Sequence, residues 1–320
     1  MDKIRIGVLT SGGDAPGMNA CIRAIVRTAI FYDYEVYGIE NGYQGLLKEQ
    51  IFKFERKSVS NILSKGGTIL GSARLESFKN QEEVRIKAKE ILNKYKMNYL
   101  IAIGGDGTYE GALKLSKLGV KVIGIPATID NDINTTDYSI GFSTALNTIV
   151  EAIDKLRDTA ESHQRCSIVE TMGRNCPDLA LYAGICSGSE FVITNQDDLD
   201  IDNISNQLKM QKQLGRRHAI IIITEKITNV YELAKLIEEK SGYETRATIL
   251  GYVQRGGSPT PEDRILASKM GSFAIDILSK NIYNCVIGIS NNKLIHTNIE
   301  DIGKKIKQNN LLKNLIEKIK

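Results

Sequence analysis

The chain contains no tryptophan, and only 6% of its 320 residues are aromatic. No run of basic residues alternates with aromatic side chains, so the sequence lacks the stacking platforms with which many proteins bind single-stranded nucleic acid. The net charge of +4 is modest, and the basic residues are dispersed. These features argue against a nucleic-acid partner.

Cysteine and histidine are also scarce, with five and three residues. The cysteines are odd in number and widely spaced, and no C-x-x-C motif occurs. Neither a disulfide framework nor a structural zinc site is therefore expected. The cysteines are predicted to be reduced core residues: Cys21, Cys166, Cys176, Cys186 and Cys285.

Long apolar runs are missing too. None approaches the roughly 18 residues of a membrane-spanning helix, and a strand pattern begins within the first few residues, where a signal peptide would lie. The protein is therefore predicted to be cytoplasmic, without a membrane partner.

The C-terminal segment 302–320 places apolar residues, including Ile302 and Ile306, at helical spacing among lysines. A packed terminal helix is favoured there over a helix on a membrane surface.

Apolar runs typical of strands alternate with helical patterns along the chain. A long amphipathic helix after residue 140 opens a second series of strands. This alternation predicts an α/β fold with doubly wound, mostly parallel sheets and a domain break near residue 140. The predicted strands lie near residues 4–9, 35–39, 99–103, 121–125, 166–170, 191–193, 218–223 and 247–253.

Three polar loops each follow a predicted strand, at residues 10–19, 104–108 and 126–132. The first two are glycine-rich, and glycines let the backbone approach phosphate oxygens while a following helix offers free N–H groups. The first loop is not a Walker loop, because Met18 and Asn19 stand where Lys and Ser or Thr are needed. Loops that follow parallel strands meet at the carboxyl edge of a sheet, so we expect these three to form one ligand site.

Two carboxylates in the third loop, Asp130 and Asp132, are two residues apart. In an extended backbone they would point to the same side, about 7 Å from each other. One could accept a proton from an attacking hydroxyl while the other organises a cation, as phosphoryl transfer to an alcohol requires. Turn and cap chemistry is the alternative explanation of this motif.

Eight motifs occur together in one order: T-S-G-G-D-A-P-G-M-N, G-G-T-I-L-G-S-A-R, G-G-D-G-T, P-A-T-I-D-N-D, S-H-Q-R, M-G-R, E-T-R and Q-R-G-G-S-P. In combination they closely resemble the bacterial ATP-dependent 6-phosphofructokinases, over essentially the whole chain. The resemblance implies Mg²⁺-dependent transfer of the γ-phosphoryl group of ATP to the C1 hydroxyl of fructose 6-phosphate, a step of glycolysis. It also implies a homotetramer whose active sites are shared between subunits.

The same resemblance implies two similar three-layer α/β domains. The ATP-binding domain would comprise residues 1–140 and about 255–300. The sugar-phosphate-binding domain would comprise residues 141–254 and about 301–320.

Roles for individual residues also follow from the resemblance. The ATP site would include Gly12, Arg74, Leu75, Gly105, Asp106, Gly107 and Thr108, with Asp106 holding Mg²⁺. The sugar-phosphate site would include Thr128, Asp130, Arg165, Met172, Gly173, Arg174, Glu225, Arg246, Tyr252 and Arg255. Asp130 would be the base, assisted by Thr128, Arg174 and Arg74, and Arg165 and Arg246 would reach in from a neighbouring subunit. An allosteric site for ADP or phosphoenolpyruvate would include Arg23, Arg27, Arg56, Arg157, Gly188, Ser189, Glu190, Arg216 and Arg217.

Three positions depart from the pattern of the family. Tyr252 stands where histidine is usual, Ala127 replaces a glycine and would add a methyl group beside the nucleotide phosphates, and Leu214 stands where a lysine is common. Pyrophosphate-dependent relatives typically carry Lys at position 127 and Asp at position 107, so Ala127 and Gly107 favour ATP as the donor. A pyrophosphate-dependent enzyme and a non-catalytic effector-binding subunit are the alternatives. The intact Asp106, Asp130, Arg74 and Arg174 argue against the non-catalytic subunit.

Overall fold

The structure is a computed structural model, and it describes residues 3–174, 176–303 and 310–319. The chain divides into two compact units. Unit 1 comprises Met1–Thr144 and Arg255–Ile306, and unit 2 comprises Ala145–Gln254 and Lys307–Lys320. The chain therefore leaves unit 1 after residue 144 and first returns to it at residue 255.

The elements follow in chain order. The first half contains β1 (Arg5–Ser11), α1 (Met18–Phe31), β2 (Glu35–Ile39), α2 (Gly42–Leu47), β3 (Ile51–Lys53), a 3₁₀ helix (Arg56–Val59), α3 (Glu76–Asn80), α4 (Glu82–Lys94), β4 (Tyr99–Gly104), α5 (Asp106–Lys117), β5 (Val122–Pro126) and α6 (Phe142–His163). The second half contains β6 (Arg165–Thr171), α7 (Asp178–Ser187), β7 (Phe191–Ile193), α8 (Ile201–Gln213), β8 (Ala219–Thr224), α9 (Val230–Ser241), β9 (Glu244–Ile249), a 3₁₀ helix (Gly251–Arg255), α10 (Pro261–Ser279), β10 (Cys285–Ser290), β11 (Lys293–Asn298), a 3₁₀ helix (Ile299–Asp301) and α11 (Asn310–Ile319).

The sheet of unit 1 has seven strands in the order β11-β10-β5-β4-β1-β2-β3. The five strands from β10 to β2 are parallel, and β11 and β3 pair antiparallel at the two edges. Every residue of β4 is buried, as expected for an apolar strand inside a parallel sheet. Side chains of α2, α4 and α5 share one hydrophobic cluster with the central strands, and α1 packs on α10.

The sheet of unit 2 has four parallel strands in the order β7-β8-β6-β9. Strand β8 is wholly buried and shares a core with α8 and α9. Asp200 caps the start of α8, and Asn229 caps the start of α9 by accepting from two backbone N–H groups. The predicted α/β fold with mostly parallel sheets is confirmed.

One predicted strand has the wrong bounds. The expected strand 247–253 is β9 (Glu244–Ile249), and the chain then turns at Gly251, which has φ +54°, into a 3₁₀ helix. The side chain of Gln254 donates back to the Gly251 carbonyl oxygen at 2.9 Å and fastens that turn. Strands β3, β10 and β11 are not predicted from the sequence.

The cysteines are not all core residues. Cys21, Cys166, Cys176 and Cys285 are buried, and burial raises the pKa of Cys285 to about 12. Cys186 lies in the last turn of α7 and is exposed, so its predicted place in the core is wrong.

Helix α11 packs on α7 in unit 2. The Lys313 amino group lies 2.9 Å from a carboxylate oxygen of Asp198, and Ile316 is buried. The predicted position of Ile306 on this helix lies outside the described residues. No helix in the described part of the chain is both long enough and apolar enough to cross a bilayer.

Candidate active site

The three polar loops meet at one edge of the sheet of unit 1. Strands β1, β4 and β5 are adjacent and parallel, so the segments that follow them leave the same carboxyl edge. The Ala127 N–H donates to the Gly104 carbonyl at 3.0 Å, and the Thr108 hydroxyl donates to the Ser11 carbonyl at 2.9 Å. These bonds tie each loop to the next, and the predicted convergence is confirmed.

Several residues at this edge are glycines, so the backbone there carries no side chains. A side chain at these positions would either collide with neighbouring atoms or cover the backbone. A Cβ atom on Gly104 would lie 2.3 Å from the Thr108 hydroxyl oxygen, which no real structure tolerates. Gly12 has φ +87°, and a Cβ atom on Gly13 would lie 3.5 Å from the guanidinium carbon of Arg255. Arg255 therefore lies beside the first loop, where its charge can attract an anion bound to the glycine backbone.

The segment 66–74 forms a further wall of this site. The side chain of Asn19 donates to the carbonyls of Lys65 and Gly67 and accepts from the Ile69 N–H, with all three distances between 2.7 and 3.0 Å. Ser72 donates to the Gly12 carbonyl at 2.7 Å. Asn19 is completely buried, and it is one of the two residues that depart from the Walker pattern. Its hydrogen bonds hold this segment against the first loop.

Helix α5 starts at the centre of the edge with Asp106, Gly107 and Thr108. Its first N–H groups and positive dipole end suit a phosphate group. Gly107 is exposed, and a Cβ atom on it would meet nothing within 4 Å.

The Asp106 carboxylate is exposed beside this opening. No group of three or more His, Cys, Asp or Glu residues in the described part of the chain could hold a metal by itself. Mg²⁺ typically binds through one or two carboxylates together with substrate phosphates. A single exposed carboxylate at a phosphate-binding helix end therefore fits a cation that arrives with its nucleotide.

The loop that carries Asp130 is a turn, and the predicted extended geometry of Asp130 and Asp132 is wrong. Asn131 between them has φ +53°, in the left-handed region, so the alternation of side chains along a strand does not apply. The Asn131 side chain accepts from the Ser139 N–H at 2.9 Å and donates to the Asp137 carbonyl at 3.2 Å. These bonds hold the turn.

Asp130 is 4% exposed and close to Thr128. The Asp130 N–H donates to the Thr128 hydroxyl at 3.3 Å, while the Thr128 carbonyl accepts from the Ser139 hydroxyl at 2.6 Å. The structure thus brings together the predicted base and its predicted neighbour. A shielded carboxylate suits proton transfer, since few water molecules compete for it.

In unit 2, the loop after β6 carries Met172, Gly173 and Arg174. Gly173 has φ +138° and Arg174 has φ +51°, an uncommon conformation for a residue with a side chain. The Arg174 N–H donates to a Glu225 carboxylate oxygen at 3.1 Å, and the Met172 N–H donates to the Gln254 side-chain oxygen at 3.1 Å. Gln254 is fully buried, and sequence reasoning assigns it no role.

Two carboxylates of unit 2, Glu170 and Glu225, lie near this loop. Burial raises the pKa of Glu170, and the nearby charge of Glu225 raises it further. A phosphate dianion would be repelled by such a pair, whereas sugar hydroxyls can donate to it. Tyr252 lies in the 3₁₀ helix that follows β9, next to β6 in the sheet, and 78% of its surface is exposed.

Arg165 and Arg246 lie in the N-terminal halves of β6 and β9, away from the loop of Arg174. Arg165 is the first residue of β6, and the strand spans about 20 Å from it to Thr171. A Glu244 carboxylate oxygen lies 2.9 Å from an Arg165 guanidinium nitrogen and also pairs with Arg246. The hydrogen bond from Arg165 lowers the pKa of Glu244. The structure therefore brings Arg165 and Arg246 together but does not bring them to Arg174.

The predicted effector residues fall into two described sets. In unit 1, the Arg27 Nε atom is buried without a hydrogen-bond partner among the described residues. Desolvation lowers the pKa of Arg27, and the nearby charges of Arg23 and Arg56 lower it further. Arg27 and Arg56 line an open cavity of about 400 Å³.

In unit 2, Arg157 donates to the Ser187 carbonyl next to Gly188 and lies 3.2 Å from a ring nitrogen of His218. Arg216 lies 2.6 Å from a carboxylate oxygen of Glu190, whose other oxygen accepts from the Ile220 N–H. The remaining residues of this region differ in exposure: Ser189 is buried, and Arg217 and Leu214 are exposed.

Comparison with known proteins gives consistent results. The family model described as Phosphofructokinase matches residues 5–278. The chain is 54% identical over 297 residues to "ATP-dependent 6-phosphofructokinase 1" of Clostridium perfringens, and the match covers 93% of each chain. It is 53% identical over 296 residues to "ATP-dependent 6-phosphofructokinase" of Teredinibacter turnerae, and the match covers 92% of each.

Among solved structures, the phosphofructokinase from Saccharomyces cerevisiae superposes with a TM-score of 0.86 and 33% sequence identity. The match covers 93% of the present chain, which spans 45% of the yeast chain.

Proposed function

This chain belongs to the phosphofructokinase family, and we propose that it is an ATP-dependent 6-phosphofructokinase. It transfers the γ-phosphoryl group of ATP to the C1 hydroxyl of fructose 6-phosphate, giving fructose 1,6-bisphosphate and ADP in glycolysis. The observation that carries the proposal is the meeting of three phosphate-type loops with the shielded Asp130 at one sheet edge. Relatives named for this activity are more than half identical over nearly the whole chain.

Asp130 acts as the base in this proposal. Its carboxylate takes the proton of the C1 hydroxyl as the oxygen attacks the γ-phosphorus, and the ADP oxygen leaves from the opposite side. The Thr128 hydroxyl, within hydrogen-bond reach of the Asp130 backbone, helps to place the sugar hydroxyl.

The donor is bound by the loops of unit 1. Backbone N–H groups near Gly12, Gly105 and Gly107 face its phosphates, with Thr108 and Leu75 beside them, and Arg74 offsets the charge that develops on the transferred group. Phosphoryl transfer in this family requires a divalent metal ion. We assign it as Mg²⁺ held by Asp106, and when bound it neutralises phosphate charge.

The acceptor is held by Arg174 and Glu225, with the 6-phosphate near Tyr252 and Arg255. Arg165 and Arg246 complete a site of a neighbouring subunit in a homotetramer. This assignment is supported by the distance of about 20 Å along β6 that separates Arg165 from the loop of Arg174. Unit 1 would then be the ATP-binding domain and unit 2 the sugar-phosphate-binding domain.

A cytoplasmic location is part of the proposal, because ATP and fructose 6-phosphate are cytoplasmic metabolites in bacteria. Buried thiols such as Cys21 and Cys166 are compatible with a reducing compartment.

A coupled assay that measures ADP or fructose 1,6-bisphosphate formation tests the proposed activity. Purified protein is assayed with fructose 6-phosphate, Mg²⁺ and each of ATP, GTP and pyrophosphate. Turnover with ATP is expected. A protein that binds nucleotides but turns over none of these donors would instead be a non-catalytic subunit.

Allosteric control is the next part of the proposal, with Arg27 and Arg157 supplying charge for a phosphorylated effector. Replacing both by Ala should abolish the response to ADP and to phosphoenolpyruvate while turnover at saturating substrate stays within about twofold, because coupling acts between distinct sites. Arg85→Ala is the matched control, since Arg85 donates to the Phe78 and Lys79 carbonyls and is not in the effector set. An unchanged effector response in the double variant would contradict the assignment. If the wild type shows no response, the exposed Leu214 is the first residue to replace by lysine.

Tyr252 gives a prediction about sugar affinity. Its exposed phenol can donate one hydrogen bond but carries no charge near neutral pH, whereas histidine is partly cationic there. Tyr252→His should lower the KM for fructose 6-phosphate several-fold, about 1 kcal/mol, with little change in kcat. Steady-state kinetics with varied sugar phosphate measures the effect. A raised KM in Tyr252→His, or a Tyr252→Phe variant with unchanged KM, would show that Tyr252 does not face the phosphate.

A further inference from the structure

The first turns of helices α6 and α10 meet around one buried carboxylate. Asp263, the third residue of α10, is 1% exposed. One of its oxygens accepts from the Gly141 N–H at 2.8 Å, and the other accepts from the Thr144 N–H at 2.8 Å and the Thr144 hydroxyl at 2.5 Å. Asp263 thus caps α6 from a different helix, more than a hundred residues away in the chain.

Further hydrogen bonds lock the two helix ends together. The Thr260 N–H donates to the Thr144 hydroxyl oxygen at 3.0 Å, and the Thr260 hydroxyl donates to the Ser143 hydroxyl at 3.0 Å. Thr260 also caps α10, since its hydroxyl accepts from the Asp263 N–H at 3.3 Å. All these residues belong to unit 1.

The cluster is joined directly to the loop of Asp130. Next to Gly141, the Ile140 N–H donates to the Pro126 carbonyl at 3.0 Å, and Ile140 forms a β-bridge with Ala127. The loop 127–141 is therefore fixed at both ends by bonds that converge near Asp263. On the other side of the cluster, Thr260 ends the segment 255–260, which begins with Arg255 and leads into α10.

The first loop also packs on this junction. A Cβ atom on Gly17 would lie 2.7 Å from Ile140 and 3.6 Å from the Asp263 side chain, and a Cβ atom on Gly141 would lie 2.6 Å from Ala15. Both glycines have positive φ. Close packing at this junction therefore involves three segments, 10–19, 127–141 and 255–260. It leaves little room for the backbone of any of them to move.

The partners of Asp263 suit a negative charge. Burial raises the pKa of Asp263 above its usual range, and the Thr144 and Gly141 donors offset part of that rise. We take the charged form, because the three described groups that bond to the carboxylate are all donors and because two of them are backbone N–H groups at the N-terminus of α6, the positive end of that helix dipole.

We propose that Asp263 is a positioning residue for phosphoryl transfer. It fixes the position of the loop of Asp130 relative to the segment of Arg255. The proposal rests on the function proposed above and assigns Asp263 no contact with substrate. Its action is through Gly141 and Thr144.

Asp263→Asn tests the proposal. The amide keeps the size of the side chain, but its NH₂ group would face an N–H donor of Gly141 or Thr144 instead of accepting from it. Since a displacement of about 1 Å can cost roughly 10²-fold in rate, we expect kcat to fall by about 10- to 100-fold. The KM for ATP should stay within about twofold, because Asp263 bonds to no residue assigned to the ATP site. The KM for fructose 6-phosphate should rise, because the segment that carries Arg255 is displaced.

Two sets of variants separate positioning from loss of stability. Asn229→Ala removes a helix cap of unit 2 with two N–H partners and should lower the melting temperature without lowering kcat. Thr144→Val should reproduce the kcat loss of Asp263→Asn, and Thr144→Ser, which keeps the hydroxyl, should restore it. Wild-type kcat in Asp263→Asn, or an equal kcat loss in Asn229→Ala, would overturn the proposal.

Amide hydrogen exchange gives a measurement that does not need activity. In Asp263→Asn, the amides of Gly141 and Thr144 and the peptide 127–141 should exchange at least about tenfold faster than in the wild type, while β8 stays protected. Unchanged exchange at 127–141 would overturn the proposal even if the kinase assay succeeds. A wild type without kinase turnover would refute the proposed function, and exchange would still decide whether Asp263 holds this loop.

Discussion

Asp130→Asn is expected to lower kcat by about 10² to 10⁴ while leaving ATP affinity nearly unchanged. The amide has the shape of the carboxylate, so the buried turn around Asp130 should survive the substitution. What is lost is the group that accepts the proton of the C1 hydroxyl, and the attacking oxygen then remains a neutral, weak nucleophile. Single-turnover kinetics and a direct titration with ATP measure the two effects separately.

Asp137→Asn is the matched control, because Asp137 lies in the same loop but is exposed. It removes the same charge from the loop without touching Asp130 and should keep kcat within about threefold, in the range of ordinary surface substitutions. Near-normal turnover in Asp130→Asn would remove Asp130 from the catalytic role. An equal loss in both variants would assign the effect to the loop's charge rather than to a base.

With the wild type, activity with ATP should exceed activity with pyrophosphate by several orders of magnitude. This preference rests on the absence of Lys at position 127 and of Asp at position 107. Gly107 borders open space at the start of α5, which leaves room for a complete nucleoside triphosphate. Ala127 has no exposed surface, so the expectation that its methyl group lies beside the nucleotide phosphates is wrong. Comparable rates with both donors at saturating Mg²⁺ would contradict the donor assignment.

Two variants of Gly107 separate the effect of side-chain size on ATP turnover from the effect of side-chain charge. Gly107→Ala should keep ATP turnover close to the wild type, because a Cβ atom there meets nothing within 4 Å. Gly107→Asp should lower kcat/KM for ATP by at least about tenfold, because the added carboxylate would repel the phosphates. Two like charges about 4 Å apart repel by roughly 1 kcal/mol in water and roughly 4 kcal/mol near a protein surface. An acidic residue in the first turn favours the helix, so folding should be preserved. Equal losses in both variants would show that the site is limited by space instead.

The sequence predicts the elements that depend on local pattern. Apolar runs such as 99–103 mark the central strands, and glycine-rich loops after them mark the carboxyl edge, because both signals lie within a few adjacent residues. The turn at Asn131 is not predicted, since it depends on Ser139 and Asp137 folding back onto it. The boundary of β9 is misplaced because Gly251 ends the strand, whereas apolar residues continue past it.

Buried polar residues are the part of the site that the sequence does not reveal. Asn19, Gln254 and Asp263 each have little or no exposed surface, and each bonds to backbone groups far away in the chain. In the sequence, such a residue looks like any loop or helix-terminus residue. Its role appears only when the fold supplies the donors and acceptors that its burial requires.

The division of the chain has a consequence for its synthesis. The strands of unit 2 lie within one uninterrupted stretch, from Arg165 to Ile249, whereas the sheet of unit 1 still lacks β10 and β11 when that stretch is complete. Helix α1 packs mainly on α10, so the part of its surface that α10 covers stays exposed on the ribosome until residue 279 has emerged. At about 5 to 20 residues per second, this exposure lasts about 12 to 50 seconds. We therefore expect α1, although it is made before all of unit 2, to finish folding only after α10 has been made, and to be a part of the nascent chain that chaperones bind.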